Sequence, residues 1–164
     1  MILPGDYVSG LVDGEGCFSL NYRRDVRRER KGSPVYFRWK ASFSIVMRKD
    51  EYPLLGSVRD TIGDGDITYT KGNVSYQVQD TISLQKVVIP FFTKHALYGK
   101  KSKDFQLWCE AIKILIRNRR KVQKTDSARE TGHKHWDEAD LIRLQTIRAQ
   151  MRQYKSKRGA YKWN

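Results

Sequence analysis

Val8-Ser-Gly-Leu-Val-Asp-Gly-Glu-Gly16, running straight into Cys17-Phe18-Ser19-Leu20, decides the reading of this chain. Tyr7, Val8, Leu11 and Val12 form an apolar stripe at helical spacing, and Pro4 suits a first turn, so a helix is expected over 3–13. Gly14-Glu15-Gly16 should end it. Phe18, Leu20 and Tyr22 then alternate with Ser19, Asn21 and Arg23, the period-two pattern of a strand with one wet face. A helix therefore feeds a strand almost without a loop, and Asp13 and Glu15 fall at the join among glycines. An acid held there can bind a divalent cation, because no bulky side chain keeps a phosphate-bearing ligand away.

The charge balance points the same way. Thirty-two Lys and Arg against 18 Asp and Glu in 164 residues give a net charge of +14, which favours a polyanionic partner, usually nucleic acid. Charge alone leaves DNA and RNA open, and a ribosomal or merely basic protein too. The length and a 39% hydrophobic content suit one domain over 1–154 with a basic tail at 155–164. No apolar run approaches a membrane span or a signal peptide, so an intracellular protein is expected, in a bacterial or archaeal cytoplasm or an organelle. Cys17 and Cys109 are too few for a disulfide framework and should be small buried hydrophobes. His133 and His135 read as an exposed turn, with no zinc arrangement.

Beyond a charged loop over 24–34, Val35, Phe37, Trp39, Ala41, Phe43 and Ile45 alternate with Tyr36, Arg38, Lys40, Ser42 and Ser44. One face of this long strand is core, and every charge on the other is positive. Asp50 is placed to cap a helix ending near Ile62, with Tyr52, Leu54, Leu55 and Val58 inward. A hairpin follows, Ile67 to Thr70 and Val74 to Gln79, turning at Lys71-Gly72-Asn73. Helices are expected from Ser83 to His95 with an interruption at Pro90, from Lys101 to Arg120, and from Asp137 to Tyr154. Residues 118–135 read as a mobile linker. Gly63-Asp64-Gly65-Asp66 superficially echoes the first motif, but no small-residue helix leads into it, and a turn is expected.

Val8 to Gly16, the strand–helix join Phe43-Ser-Ile-Val-Met-Arg-Lys-Asp50 with Leu54-Leu55, Ile62-Gly63-Asp64-Gly65, Pro90-Phe91-Phe92 and Leu97-Tyr-Gly-Lys-Lys101 together resemble the LAGLIDADG homing endonucleases in their single-motif form. The likeness covers roughly residues 3–117. It implies an α+β, αββαββα fold with a saddle-shaped antiparallel sheet, here with additional C-terminal helices. It also implies a homodimer whose motif helices pack side by side through Tyr7, Ser9, Gly10 and Asp13, so that a twofold axis brings a second Glu15 to the scissile phosphate. By resemblance, Glu15 is the metal ligand, the Gly14 carbonyl assists it, Asp13 caps or braces the helix pair, and Lys100 is the basic catalytic residue, with Lys101 its neighbouring candidate. Mg²⁺ is the expected ion, Mn²⁺ should substitute, and Ca²⁺ should support binding without turnover. No small-molecule cofactor or membrane is implied. One position departs from the family: many relatives carry a Gln where this chain has Met47, which cannot orient water.

The resemblance implies a double-strand break in a long pseudo-palindromic duplex, as in homing of an intron. A strand of about ten residues spans on the order of 30 Å, about nine base pairs. Its wet face, laid in the major groove, makes Ser19, Asn21, Arg23, Tyr36, Arg38, Lys40, Ser42, Ser44, Thr68, Thr70, Ser75, Gln77 and Gln79 candidate base readers, with Arg48, Lys49 and Lys101 further DNA contacts. The same fold also serves RNA maturases and non-cutting regulators. Glu15 favours cutting, because an acid facing phosphates weakens pure binding unless a cation intervenes.

Overall fold

The computed structural model describes residues 1–26, 28, 31–32, 35–123 and 136–153. His133, His135, residues 124–135 of the expected linker and the tail 155–164 lie outside them, as does the side chain of Tyr36.

Helix α1 (Gly5–Glu15) leads directly into β1 (Gly16–Val26), and β2 (Val35–Arg48) returns antiparallel to it. A 3₁₀ turn (Lys49–Glu51), α2 (Tyr52–Ile62), β3 (Asp66–Thr70) and β4 (Asn73–Val78) follow. The four strands form one antiparallel sheet in the order β1-β2-β4-β3. Then come α3 (Thr81–Ser83), a π turn (Leu84–Val88), α4 (Ile89–Lys94), α5 (Lys101–Gln123) and α6 (Glu138–Arg152). This is the expected αββαββα order with further helices.

Register explains the layering. Phe18 pairs with Phe43 and Leu20 with Ala41, while Phe43 and Ile45 pair with Val78 and Tyr76, so the apolar partners share one face. All of them are buried. The helices bring Val8 and Val12, Leu55 and Val58, Leu84, Val88 and Phe92, Trp108 and Ile112, and Leu144 and Ile147 into the same cluster. Phe18 sits at its centre, with ring centroids 5.2 Å from Phe43, 5.6 Å from Phe92 and 5.0 Å from Trp108. The Trp108 indole also donates to the Ser19 carbonyl at 3.1 Å, fixing α5 to β1. Among the described residues, the buried apolar side chains of the sheet lie on this face, which leaves the other free to be polar.

Several local expectations change. α1 starts at Gly5 and runs past the expected 13 to Glu15, and within the expected Gly14-Glu15-Gly16 stop it is Gly16 that ends it. A Cβ at Gly16 would lie 2.5 Å from Val12 Cγ1 and 2.8 Å from the Val12 carbonyl oxygen, so the tight helix-to-strand join requires glycine. Asp50 does not cap α2; its carboxylate accepts from Arg48 at 2.7 Å, and a 3₁₀ turn separates it from the helix. Tyr52 lies outward against Tyr69, with centroids 5.4 Å apart. The third helical segment starts earlier than Ser83, because Asp80 accepts from the Ile82 and Ser83 N–H groups at 3.0 Å each. Its irregularity is a π turn immediately before Pro90, which has no N–H to continue the ladder. α5 continues past the expected Arg120 to Gln123, so the first part of the expected 118–135 linker is helix. Cys17 and Cys109 are only half-buried.

Gly63 and Gly65 adopt φ of 98° and 104°, values that exclude most side chains. The Gly63-Asp64-Gly65 segment is thus the expected turn, and the Asp64 carbonyl receives the Tyr76 hydroxyl at 2.6 Å.

Candidate metal and nucleic-acid site

Glu15 is exposed at the last position of α1. Gly16 opens the edge strand β1 and pairs with Ile45 of the inner strand β2, so the acid sits at the join of α1 and the sheet. Two contacts hold this helix end. The Asp13 carboxylate accepts the backbone N–H groups of Tyr98 at 2.8 Å and Gly99 at 3.2 Å. The Lys101 ammonium donates to the carbonyl oxygens of Asp13 at 2.7 Å and Gly14 at 2.9 Å. A cation there satisfies carbonyls left open at a helix C-terminus and opposes the negative end of its dipole.

These contacts refine the expected roles. Lys101 reaches α1, whereas Lys100 is exposed in the turn before α5. Asp13 braces the 98–99 loop of its own chain. The Gly14 carbonyl already receives Lys101 and keeps one lone pair for another partner. Ser9, expected on an association face, is buried, and its hydroxyl donates to the His95 carbonyl at 2.7 Å. His95 also packs its ring over Gly5, where a Cβ would lie 2.4 Å from it, and meets Asp6 at 2.9 Å. The outward stripe of α1 is instead Tyr7, Gly10 and Gly14, and a Cβ at either glycine would meet nothing within 4 Å.

Glu15 and the Gly14 carbonyl are hard oxygen donors of the type Mg²⁺ selects. Asp13 Oδ1, on the residue before Gly14, is buried and has no hydrogen-bond partner. Among the described residues no three His, Cys, Asp or Glu side chains gather to hold a metal. The donor types fit.

The polar face of the sheet carries the expected readers in rows. Arg23 lies opposite Arg38, Asn21 opposite Lys40, and Ser19 opposite Ser42. Ser44 lies between Cys17 and Gln77, with Asp66 beyond. Arg23, Arg38, Arg48, Lys49, Thr68, Thr70 and Gln79 are exposed. Two arginines facing each other across a ladder favour an anion between them over bare proximity. Ser19 and Ser42 hydrogen-bond each other at 2.7 Å. Ser75 is a correction: it is buried and accepts from Gln77 Nε2 at 2.9 Å, so it supports Gln77 from below. Val46, half-exposed, and Asp66 also belong to this face and were not among the expected readers. Extending the β2 alternation past Ile45 would have found Val46. The same parity turns Met47 toward the helices, where it packs on the core.

An acid at a helix-to-sheet join, over a sheet with one apolar and one polar, cation-bearing face, defines a LAGLIDADG-type fold. Residues 8–112 match the family model described as LAGLIDADG endonuclease, and the chain belongs to that family. It is 31% identical over 121 residues to an "Uncharacterized 50.9 kDa protein in ND4 intron 1" of Podospora anserina, covering 72% of this chain and 25% of that protein. It is 28% identical over 112 residues to "Probable intron-encoded endonuclease 3" of Neurospora crassa, covering 67% and 20%. The chain thus spans a quarter or less of these relatives' length. Among solved structures, the homing endonuclease I-TnaI superimposes with a TM-score of 0.70 at 27% identity, covering 92% of this chain and 89% of that one. I-SmaMI, bound to an uncleaved DNA target with calcium ions, shares the fold with a TM-score of 0.72 at 22% identity, over 92% and 45%. Among the described residues no helix is long and apolar enough to cross a membrane.

Proposed function

We propose that this chain is a site-specific, divalent-metal-dependent endonuclease acting on double-stranded DNA, and that two copies associate along α1 to make a double-strand break in a long, nearly palindromic site. The observation that carries the reading is the exposed carboxylate of Glu15 at the α1-to-β1 join of a sheet whose open face bears Arg23, Arg38 and Lys40. A binding module gains nothing from an acid there, since it repels phosphates.

β2 has 14 residues, about 46 Å at roughly 3.3 Å per residue, so one sheet suits about 13 base pairs along a major groove. The Tyr7, Gly10 and Gly14 stripe is the surface on which a second α1 would lie, bringing two Glu15 carboxylates together. A bound Mg²⁺ would supply charge neutralisation at the scissile phosphate and a water of lowered pKa. Glu15 and the Gly14 carbonyl would hold it. Lys101 keeps that carbonyl and the helix end fixed and places a positive charge where phosphate charge develops, without reorganisation. Asp13 holds the loop leading to Lys101. Lys100, in the adjoining turn, is left to grip a flanking phosphate.

The test is incubation of the protein with a randomised duplex library, with Mg²⁺ and separately with EDTA, followed by sequencing of new ends. Metal-dependent cuts in both strands of one long, pseudo-symmetric site support the reading. Metal-independent binding with no new ends under any condition contradicts it and leaves a non-cutting regulator.

A further inference from the structure

Three side chains of the polar face form a hydrogen-bonded line that starts from one cation. Lys40 Nζ donates to Gln79 Oε1 at 2.5 Å. Gln79 Nε2 donates to Gln77 Oε1, and Gln77 Nε2 donates to Ser75 Oγ at 2.9 Å. The line crosses from β2 to β4 where the two strands stop pairing, since their last matched residues are Phe43 and Val78. Gln77 and Gln79, two apart, share the face and stand next to each other.

The direction of this line follows from chemistry. An ammonium has donors only, whereas an amide has a donor end and an acceptor end. Gln79 must therefore turn Oε1 toward Lys40, which leaves Nε2 toward Gln77, and Gln77 in turn offers Oε1 to it and Nε2 to Ser75. Reversing either amide would set donor against donor or acceptor against acceptor. Each glutamine still keeps one oxygen lone pair and one N–H, the pair that a glutamine presents to adenine N6 and N7 in the major groove. Which of the two lies on which side is decided by Lys40.

We infer that Lys40 is a positioning residue for base readout by Gln77 and Gln79, so that specificity at the base pairs under β4 depends on a side chain of β2. The inference rests on the DNA-cleaving reading above. Its consequence is non-modular recognition: a change at Lys40 alters preference at base pairs that Lys40 itself does not touch. Ser75, buried beneath Gln77, is the fixed end of the line.

The experiment profiles binding of the full chain to a library of single-base variants of its site, in EDTA so that no cutting intervenes. Four proteins are compared with wild type: Lys40→Met, Lys40→Arg, Gln77→Leu and Gln79→Leu, each with its melting temperature. Lys40→Met keeps the length but has no donor, so discrimination should fall on the order of tenfold at the positions that Gln77→Leu and Gln79→Leu identify. Lys40→Arg, which can still donate to Gln79, should keep those preferences, and the melting temperatures should all match. Loss of preference under Lys40→Met only at positions that neither glutamine variant affects would overturn the inference while leaving the nuclease reading intact. A wild-type protein with no preference for any duplex would overturn both.

Discussion

Lys101 and Gly14 are joined by a 2.9 Å hydrogen bond from the ammonium to the carbonyl oxygen, one residue before the exposed acid Glu15. The contact ties the start of α5 to the end of α1 across 87 residues of chain. It puts the positive charge of the site on the helix that carries its negative one. Lys101→Met is expected to lower the cleavage rate by about 10²-fold, the scale for losing one preorganised charge-stabilising donor. Lys100→Met should have a smaller effect, confined to binding. Single-turnover rates at saturating protein separate the two, and a larger chemical defect for Lys100→Met would reverse the assignment.

Asp13 should matter more to order than to chemistry. Asp13→Ala removes the acceptor of the Tyr98 and Gly99 N–H groups and is expected to cost about 2 kcal/mol, the range for hydrogen bonds to a charged group. Denaturant titration would read this as a lower midpoint with an unchanged slope. A stability equal to wild type would show that the 98–99 loop does not depend on Asp13.

The glycines of the motif separate into two kinds. Gly16→Ala forces a Cβ against the Val12 backbone and should destabilise the fold by about 1–3 kcal/mol. A Cβ at Gly10 meets nothing within 4 Å in its own chain, so with Gly10→Phe the melting temperature of the monomer should hold while association fails. Light scattering at matched concentrations tests this. A Gly10→Phe variant of wild-type mass, provided wild type is dimeric, would move the association surface away from α1.

Those glycines also show where sequence was legible. Strict alternation placed the β2 faces correctly because a strand has one period, and one wrong residue would invert all of them. The α1 stripe placed Val8 and Val12 inward for the same kind of reason. Ser9 was misplaced because its burial depends on the His95 carbonyl, 86 residues away, and no local pattern reports that. Lys100 and Lys101 are neighbours, and only the register of α5 against α1 decides which reaches the helix. α5 runs to Gln123, past the expected Arg120, and polar contacts hold its last turns: Arg117 and Asn118 bind the buried Asp140 of α6, Asn118 Nδ2 at 2.8 Å. Hydrophobic periodicity has no signal for a helix secured that way.

Acid should loosen the helical layer. Arg143 hydrogen-bonds Glu110 between α6 and α5 and holds its carboxyl below the usual 4.5. The Ser83 N–H at the head of α3 lowers Asp80 below 3.8. Both folded-state values lie below the unfolded ones, so both contributions are complete above about pH 5 and fade as pH falls through 4.5 and then 3.8. Melting temperature should therefore drop below pH 4.5, and Glu110→Gln should flatten the upper part of that drop. An unchanged pH profile in Glu110→Gln would remove the pair from the account.

Glu15→Gln probes the metal-binding acid alone, because the amide keeps the size of the carboxylate and loses its charge. Cleavage and binding of the selected duplex are measured side by side for wild type and Glu15→Gln in Mg²⁺. The variant is expected to bind the site at least as tightly as wild type and to yield no cut ends. Cutting at the wild-type rate would contradict this and place the metal elsewhere.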